Sequence, residues 1–156
     1  MAGHAVHVQR EIMADPRHVW RVITDLDHAA DVLSGIVKVE RLEGEGYTVG
    51  VRWRETRRML GKEEAEEMWV SDVDAPRSTT VSAESRGTVY STVFRCEPTD
   101  LGTRLCIDFS ADTPHPRLGQ KVAWAMFGKA GMRATEKALV QDLADIAKAA
   151  EARSAA

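Results

Sequence analysis

In RLGQKVAWAMFGKAGMRATEKALVQDLADIAKAA, residues 117–150, the apolar side chains Leu118, Val122, Ala125, Met132, Leu139, Leu143 and Ile146 recur at three- and four-residue steps. Lys121, Lys129, Arg133, Lys137, Asp142 and Lys148 fall largely between them. That spacing predicts an amphipathic helix with one broad apolar stripe and a solvated opposite face. Gly128 and Gly131 interrupt it, each costing about 1 kcal/mol relative to alanine, so they mark either a bend within one helix or a break between two. A stripe this long needs an apolar partner, and residues 36–111 supply it by alternating with period two.

Working outward, Val6, Val8 and Ile12 predict a first strand, and Asp15-Pro16 then supplies an N-cap and a first-turn proline. Val19, Trp20 and Ile23 give the following short helix an apolar face, and a second helical piece over 27–33 closes at Ser34-Gly35. Val37 and Val39 alternate with Lys38 and Glu40, and Gly44-Glu45-Gly46 turns the chain into a strand over 47–59. Further strands follow Leu60-Gly61, the turn 74–77, Ser85-Arg86-Gly87 and the turn 98–102, before Pro114 and Pro116 end the sheet. The order is strand, two short helices, six strands and a long helix. It forms one domain over 1–156, with a core over about 6–150 and an Ala-rich tail over 151–156.

The hairpin at Leu60-Gly61 specifies its own register. Pairing Arg58 with Glu63 also sets Arg54 against Glu67 and Arg57 against Glu64, three opposite-charge pairs worth roughly 0.2–1 kcal/mol each. The same register places Trp53 opposite Met68 and Val51 opposite Val70 on an inner face, whereas a one-residue slip sets Trp53 against Glu67.

At 156 residues, 44% hydrophobic and 29% charged, the chain has the composition of an ordinary globular domain that folds without staples. A net charge of −3 argues against a broadly basic nucleic-acid surface. Neither a spanning apolar run nor a signal pattern occurs, which points to the cytoplasm. Cys96 falls on the apolar face and Cys106 beside Arg104 and Asp108, so the two thiols point apart and do not pair. The five histidines are scattered, and none stands at metal-ligand spacing with another histidine or a cysteine. No phosphate loop, dinucleotide loop or nucleophile elbow is present, so no cofactor is expected.

This element order, with Ala14-Asp15-Pro16 ahead of the helix bearing Val19 and Trp20, then Thr24-Asp25, then the Gly102-Thr103 turn, resembles the START-like helix-grip (SRPBCC) superfamily. More narrowly it resembles the polyketide cyclase/dehydrase branch, over about 6–150. The resemblance implies an α+β helix-grip fold: a seven-stranded antiparallel sheet wrapped around the C-terminal helix, with an apolar cavity between them. It further implies binding of lipids, sterols, quinones or polyketides, and in some members cyclisation or dehydration. It carries no universal catalytic motif onto numbered positions, so the candidate site comes from the residues themselves.

In the hairpin register Glu55 and Glu66 oppose each other on the inner face, beside Arg57. Two carboxylates ~5 Å apart repel by about 3 kcal/mol at an effective dielectric near 20, enough to hold a proton on one of them toward neutral pH. Such a pair is equipped for general acid–base work, with Arg57 for an oxyanion and the Tyr90 hydroxyl nearby. The competing reading is a solvated or ion-paired rim near the end of a long hairpin, where the inner face meets water.

Trp53, Met68, Thr92, Phe94 and Phe109, with Tyr90, form either a ligand wall or plain core, and Met126, Phe127 and Met132 on the long helix would close over them. Three functions fit: a carrier of a small apolar or aromatic molecule, a cyclase or dehydratase, and a lipid- or quinone-binding protein that docks on a partner or membrane. A homodimer would form along an exposed sheet edge or the Arg-rich strand 52–58.

Overall fold

The computed structural model describes residues 3–85, 87–112 and 129–154. Strand β1 (Gly3–Ile12) leads to helix α1 (Pro16–Ile23), a short 3-10 turn (Leu26–His28) and the single turn α2 (Ala29–Val32). Strands β2 (Ile36–Glu43), β3 (Arg52–Met59), β4 (Lys62–Asp74), β5 (Ser78–Ser85), β6 (Thr88–Thr99) and β7 (Gly102–Asp112) follow, and helix α3 (Lys129–Ser154) ends the described chain. All seven strands form one antiparallel sheet in the order β1-β7-β6-β5-β4-β3-β2, so the α+β helix-grip expectation holds.

Local chemistry accounts for the starts and stops. The Asp15 carboxylate accepts from the Arg17 backbone N–H at 2.8 Å, and Pro16 occupies the first turn of α1, where a missing N–H costs nothing. Gly102 begins β7 at φ 144°, where a Cβ would lie 2.5 Å from the Ile12 carbonyl oxygen. The next residue, Thr103, is fully buried and donates its hydroxyl to the Ala14 carbonyl at 2.7 Å. The Gly-Thr turn thus seats β7 against the junction of β1 and α1.

Two apolar clusters hold the layers together. In the first, Val8, Ile12, Leu105, Ile107 and Cys96 from the sheet meet Val19 and Val22 of α1 and Leu143, Ile146, Ala147 and Ala150 of α3. In the second, Val51, Trp53 and Val70 pack with Leu26. Cys96 lies in the first cluster and Cys106 on the other side of the sheet, both as free thiols; burial pushes Cys96 up to about 12.

Several local expectations are corrected. Val37 is exposed because β2 carries an irregularity between Ile36 and Lys38 that breaks the alternation. Strand β3 starts at Arg52 instead of residue 47: Gly50 takes a positive φ, and Tyr47 instead shares a 2.8 Å hydroxyl contact with Thr79. The 98–102 turn narrows to Asp100-Leu101, since Pro98 and Thr99 still pair with Thr103 and Gly102. Helix α3 runs on to Ser154 through part of the expected tail, and the Glu151 carboxylate accepts from the Met13 backbone N–H at 2.9 Å. Gly131 sits within α3, so no break occurs there; Gly128, Pro114 and Pro116 lie outside the described residues.

Candidate functional site

The β3–β4 hairpin has the register that its charges specify: Trp53 opposite Met68, Glu55 opposite Glu66, Arg57 opposite Glu64. Arg54–Glu67 and Arg58–Glu63 close at 3.2 Å each on the outer face. On the inner face the outcome differs. Arg57 does not pair with Glu64, which is exposed near the hairpin end. Its Nε–H donates to Glu55 Oε2 at 2.8 Å, while Nη1 and Nη2 donate to the two carboxylate oxygens of Asp142 on α3, at 3.2 and 2.8 Å.

The two carboxylates of this triad are buried and Arg57 is half-buried. Glu55 is 9% exposed and Asp142 5%, and Trp53, 3% exposed, donates its indole N–H to Glu55 Oε1 at 3.4 Å. A Cβ at Gly35 would sit 3.1 Å from Arg57 Nη1, so the backbone of the segment before β2 closes another side of the guanidinium. Of the two forms of the rim reading, Glu55 and Arg57 take the ion-paired one, with Glu55 buried and not solvated. Asp142, expected on the solvated helix face, belongs to the apolar stripe, three residues after Leu139 and four before Ile146. A second helix-to-sheet fastening lies one turn on, where Asp145 accepts from the Ser34 backbone N–H at 2.9 Å and its hydroxyl at 2.8 Å.

Electrostatics follow from this burial. Desolvation works to lower Arg57, but the charges of Asp142 and Glu55 outweigh it and hold the guanidinium firmly protonated. Burial raises Asp142 above the ordinary carboxylate range, with Arg57 opposing; the bidentate geometry is that of an ionised carboxylate, and that is the neutral-pH state we assign. Glu66 is also raised, first by burial and then by the charges of Glu55 and Glu64. It makes no side-chain hydrogen bond or ion pair among the described residues. The inner face thus presents one clamped carboxylate and, directly across, one free and half-buried one.

Beyond this polar end, Met68, Tyr90, Thr92, Phe94 and Phe109 are half-buried, and the Tyr90 and Phe109 rings meet at 6.0 Å between centroids. Phe94 packs against the first apolar cluster and Met68 against the second, as Trp53 does from within it. Met132 is half-buried on α3, two turns before Leu139 and outside both clusters. Met126 and Phe127 lie outside the described residues. Among the described residues, no group of three or more His, Cys, Asp or Glu has the arrangement of a metal site, and no helix is long and apolar enough to cross a membrane.

Comparison with known proteins agrees with this architecture. The family described as polyketide cyclase / dehydrase and lipid transport matches residues 3–151. Among solved structures, the Zhui aromatase/cyclase from Streptomyces sp. R1128 is similar at TM-score 0.81 and 20% identity, over 97% of this chain and 96% of that one. A protein from Thermus thermophilus is similar at TM-score 0.78 and 19% identity, over 97% and 99%. Major latex-like protein 151 from Panax ginseng is similar at TM-score 0.73 and 12% identity, over 94% and 96%. At these identities the likeness is one of fold. No curated protein sequence matches the chain.

Proposed function

Because the chain belongs to the polyketide cyclase / dehydrase and lipid transport family, we propose that it binds a small apolar or aromatic molecule against the inner face of its sheet. The observation that carries this reading is the juxtaposition of the Glu55–Arg57–Asp142 clamp and a free Glu66 with a half-buried wall of Met68, Tyr90, Thr92 and Phe109. An apolar wall with a few polar groups at one end is the usual composition of a small-molecule site. Aromatic and thioether side chains supply contact area, and Glu66 supplies orientation.

A second reading, cyclase or dehydratase chemistry, is favoured by one feature: Glu66 is half-buried, has no side-chain hydrogen bond or ion pair among the described residues, and is raised in pKa by burial first. Glu55 is engaged by Arg57, which leaves Glu66 as the carboxylate to exchange a proton with a ligand. As carboxylate, Glu66 takes a proton from the carbon next to a ketone, and the resulting enolate adds to a second carbonyl of the same molecule. As acid, it returns that proton to the alkoxide so formed; it then takes the second proton from the same carbon and delivers it to the new hydroxyl, which leaves as water as the carbon–carbon double bond forms. Tyr90 shares this face of the sheet through the pairings Met68–Ala83 and Ala83–Tyr90.

Mass spectrometry of the protein under non-denaturing conditions, followed by extraction and identification of anything bound, tests the binding reading. A stoichiometric apolar molecule, lost or weakened in Trp53→Ala, is the expected result. For the chemical reading, Glu66→Gln abolishes turnover of that molecule with little change in its affinity, and Glu55→Gln lowers turnover. A protein empty of ligand that also fails to bind any apolar aromatic offered to it removes both readings.

A further inference from the structure

The charge balance around Arg57 determines what kind of polar group the proposed ligand site accepts. Three of the guanidinium's N–H groups are used, one on Glu55 and two on Asp142, and the Gly35 backbone closes a further side. Of the other described cations at this face, Lys62 pairs in register with Met59 at the exposed hairpin end, and Arg41 pairs in register with Trp53; the Arg41 Nη1 donates to the Gly44 and Gly46 carbonyls and its Nη2 to Asp27. Among the described residues, Arg41, Arg57 and Lys62 therefore face five carboxylates, those of Asp27, Glu55, Glu64, Glu66 and Asp142. The sum stays negative whether or not Glu66 holds a proton.

We infer that the site selects neutral aromatic ligands bearing hydroxyl or other hydrogen-bond donors, and rejects those bearing a carboxylate or sulfonate. The inference rests on the ligand-site reading above and adds the substrate's charge class. A phenol or enol hydroxyl donates to Glu66, which is half-buried and has no side-chain hydrogen bond or ion pair among the described residues. An anion meets net negative charge in a low-dielectric setting, where like-charge approach is costly. To reach Arg57 it must displace Asp142, which strands a carboxylate that is almost fully buried. Discrimination of this kind comes from repulsion of the wrong ligand as much as from attraction of the right one.

Two fluorescent probes that share a skeleton test the inference: neutral N-phenyl-1-naphthylamine and its sulfonated counterpart 1-anilinonaphthalene-8-sulfonate, each titrated into wild type and Glu66→Gln at pH 8. The neutral probe is expected to bind wild type at least about tenfold more tightly, and Glu66→Gln to narrow that gap several-fold by admitting the sulfonate. Equal binding of the two probes by wild type overturns the charge selection, as does a gap that Glu66→Gln leaves unchanged, which would reflect apolarity alone. Binding of neither probe removes the ligand-site reading itself, a result distinct from either of those.

Discussion

Arg57 on β3 and Asp142 on α3, 85 positions apart in sequence, meet through the two terminal guanidinium nitrogens and both carboxylate oxygens, at 3.2 and 2.8 Å. The pair ties the long helix to the sheet next to Leu143, which belongs to the apolar cluster that α3 shares with β1 and α1. Because Asp142 is buried and Arg57 half-buried, removing one leaves the other charge poorly compensated. Asp142→Ala is expected to cost about 3–5 kcal/mol in urea unfolding, whereas Arg57→Met combined with Asp142→Leu costs much less than the two single changes together. Additive losses would show that the two side chains do not act as a unit.

Glu66 gives a pH dependence of definite sign. Its pKa is raised in the folded state, first by burial, so the folded protein binds that proton more tightly than the unfolded chain does. The associated stability is present below the unfolded value near 4.5 and is lost as pH rises through the folded value. Glu66→Gln removes this loss. The variant is expected to melt at a higher temperature than wild type at pH 7.5, and the two curves should converge near pH 4. A variant less stable than wild type at pH 7.5 would show that attraction to Arg57 outweighs burial at this position.

The hairpin register was legible because two independent signals agree on it. Alternation places Trp53, Glu55, Met68 and Glu66 on one face, and the outer pairs Arg54–Glu67 and Arg58–Glu63 satisfy the same pairing. The true partner of Arg57 was not legible. Cross-strand pairing points to Glu64, but the side chain turns toward Asp142, whose approach depends on how α3 lies over the sheet. The sequence still held a trace of it. Asp142 keeps the three- and four-residue spacing of the apolar stripe, and a lone acid on such a stripe implies a buried cation elsewhere. Val37 and the true start of β3 were hidden for another reason, since a local backbone irregularity leaves no mark on side-chain periodicity.

Leu60 stands at φ 51° in the two-residue turn between β3 and β4, followed by Gly61 at φ 75°. Two successive positive φ values define the hairpin turn that favours Asn-Gly, and a branched apolar side chain is strained in its first position. At 76% exposure Leu60 gains little from burial in return. Leu60→Asn is therefore expected to stabilise the fold by roughly 0.5–1 kcal/mol, read as a rise in the urea midpoint at unchanged m. A fall in the midpoint would show that the leucine makes a contact worth more than the strain it carries.

Gly102 and Gly61 both hold positive φ, so comparing alanine at the two sites separates backbone preference from steric contact. At Gly61 nothing lies within 4 Å of an added Cβ, and Gly61→Ala should cost only the conformational penalty, about 1 kcal/mol. At Gly102 the same methyl would meet the Ile12 carbonyl oxygen at 2.5 Å and the Ala14 nitrogen and oxygen at 2.8 Å, all of them backbone atoms that cannot rotate away. Relief requires β7 to withdraw from the β1–α1 junction, breaking the bond from the Thr103 hydroxyl to the Ala14 carbonyl. Gly102→Ala is expected to cost about 3 kcal/mol or more, and Thr103→Val, which removes only that bond, about 1–2 kcal/mol. If the two alanine variants unfold at the same urea concentration, the close approach at Gly102 is not what seats β7.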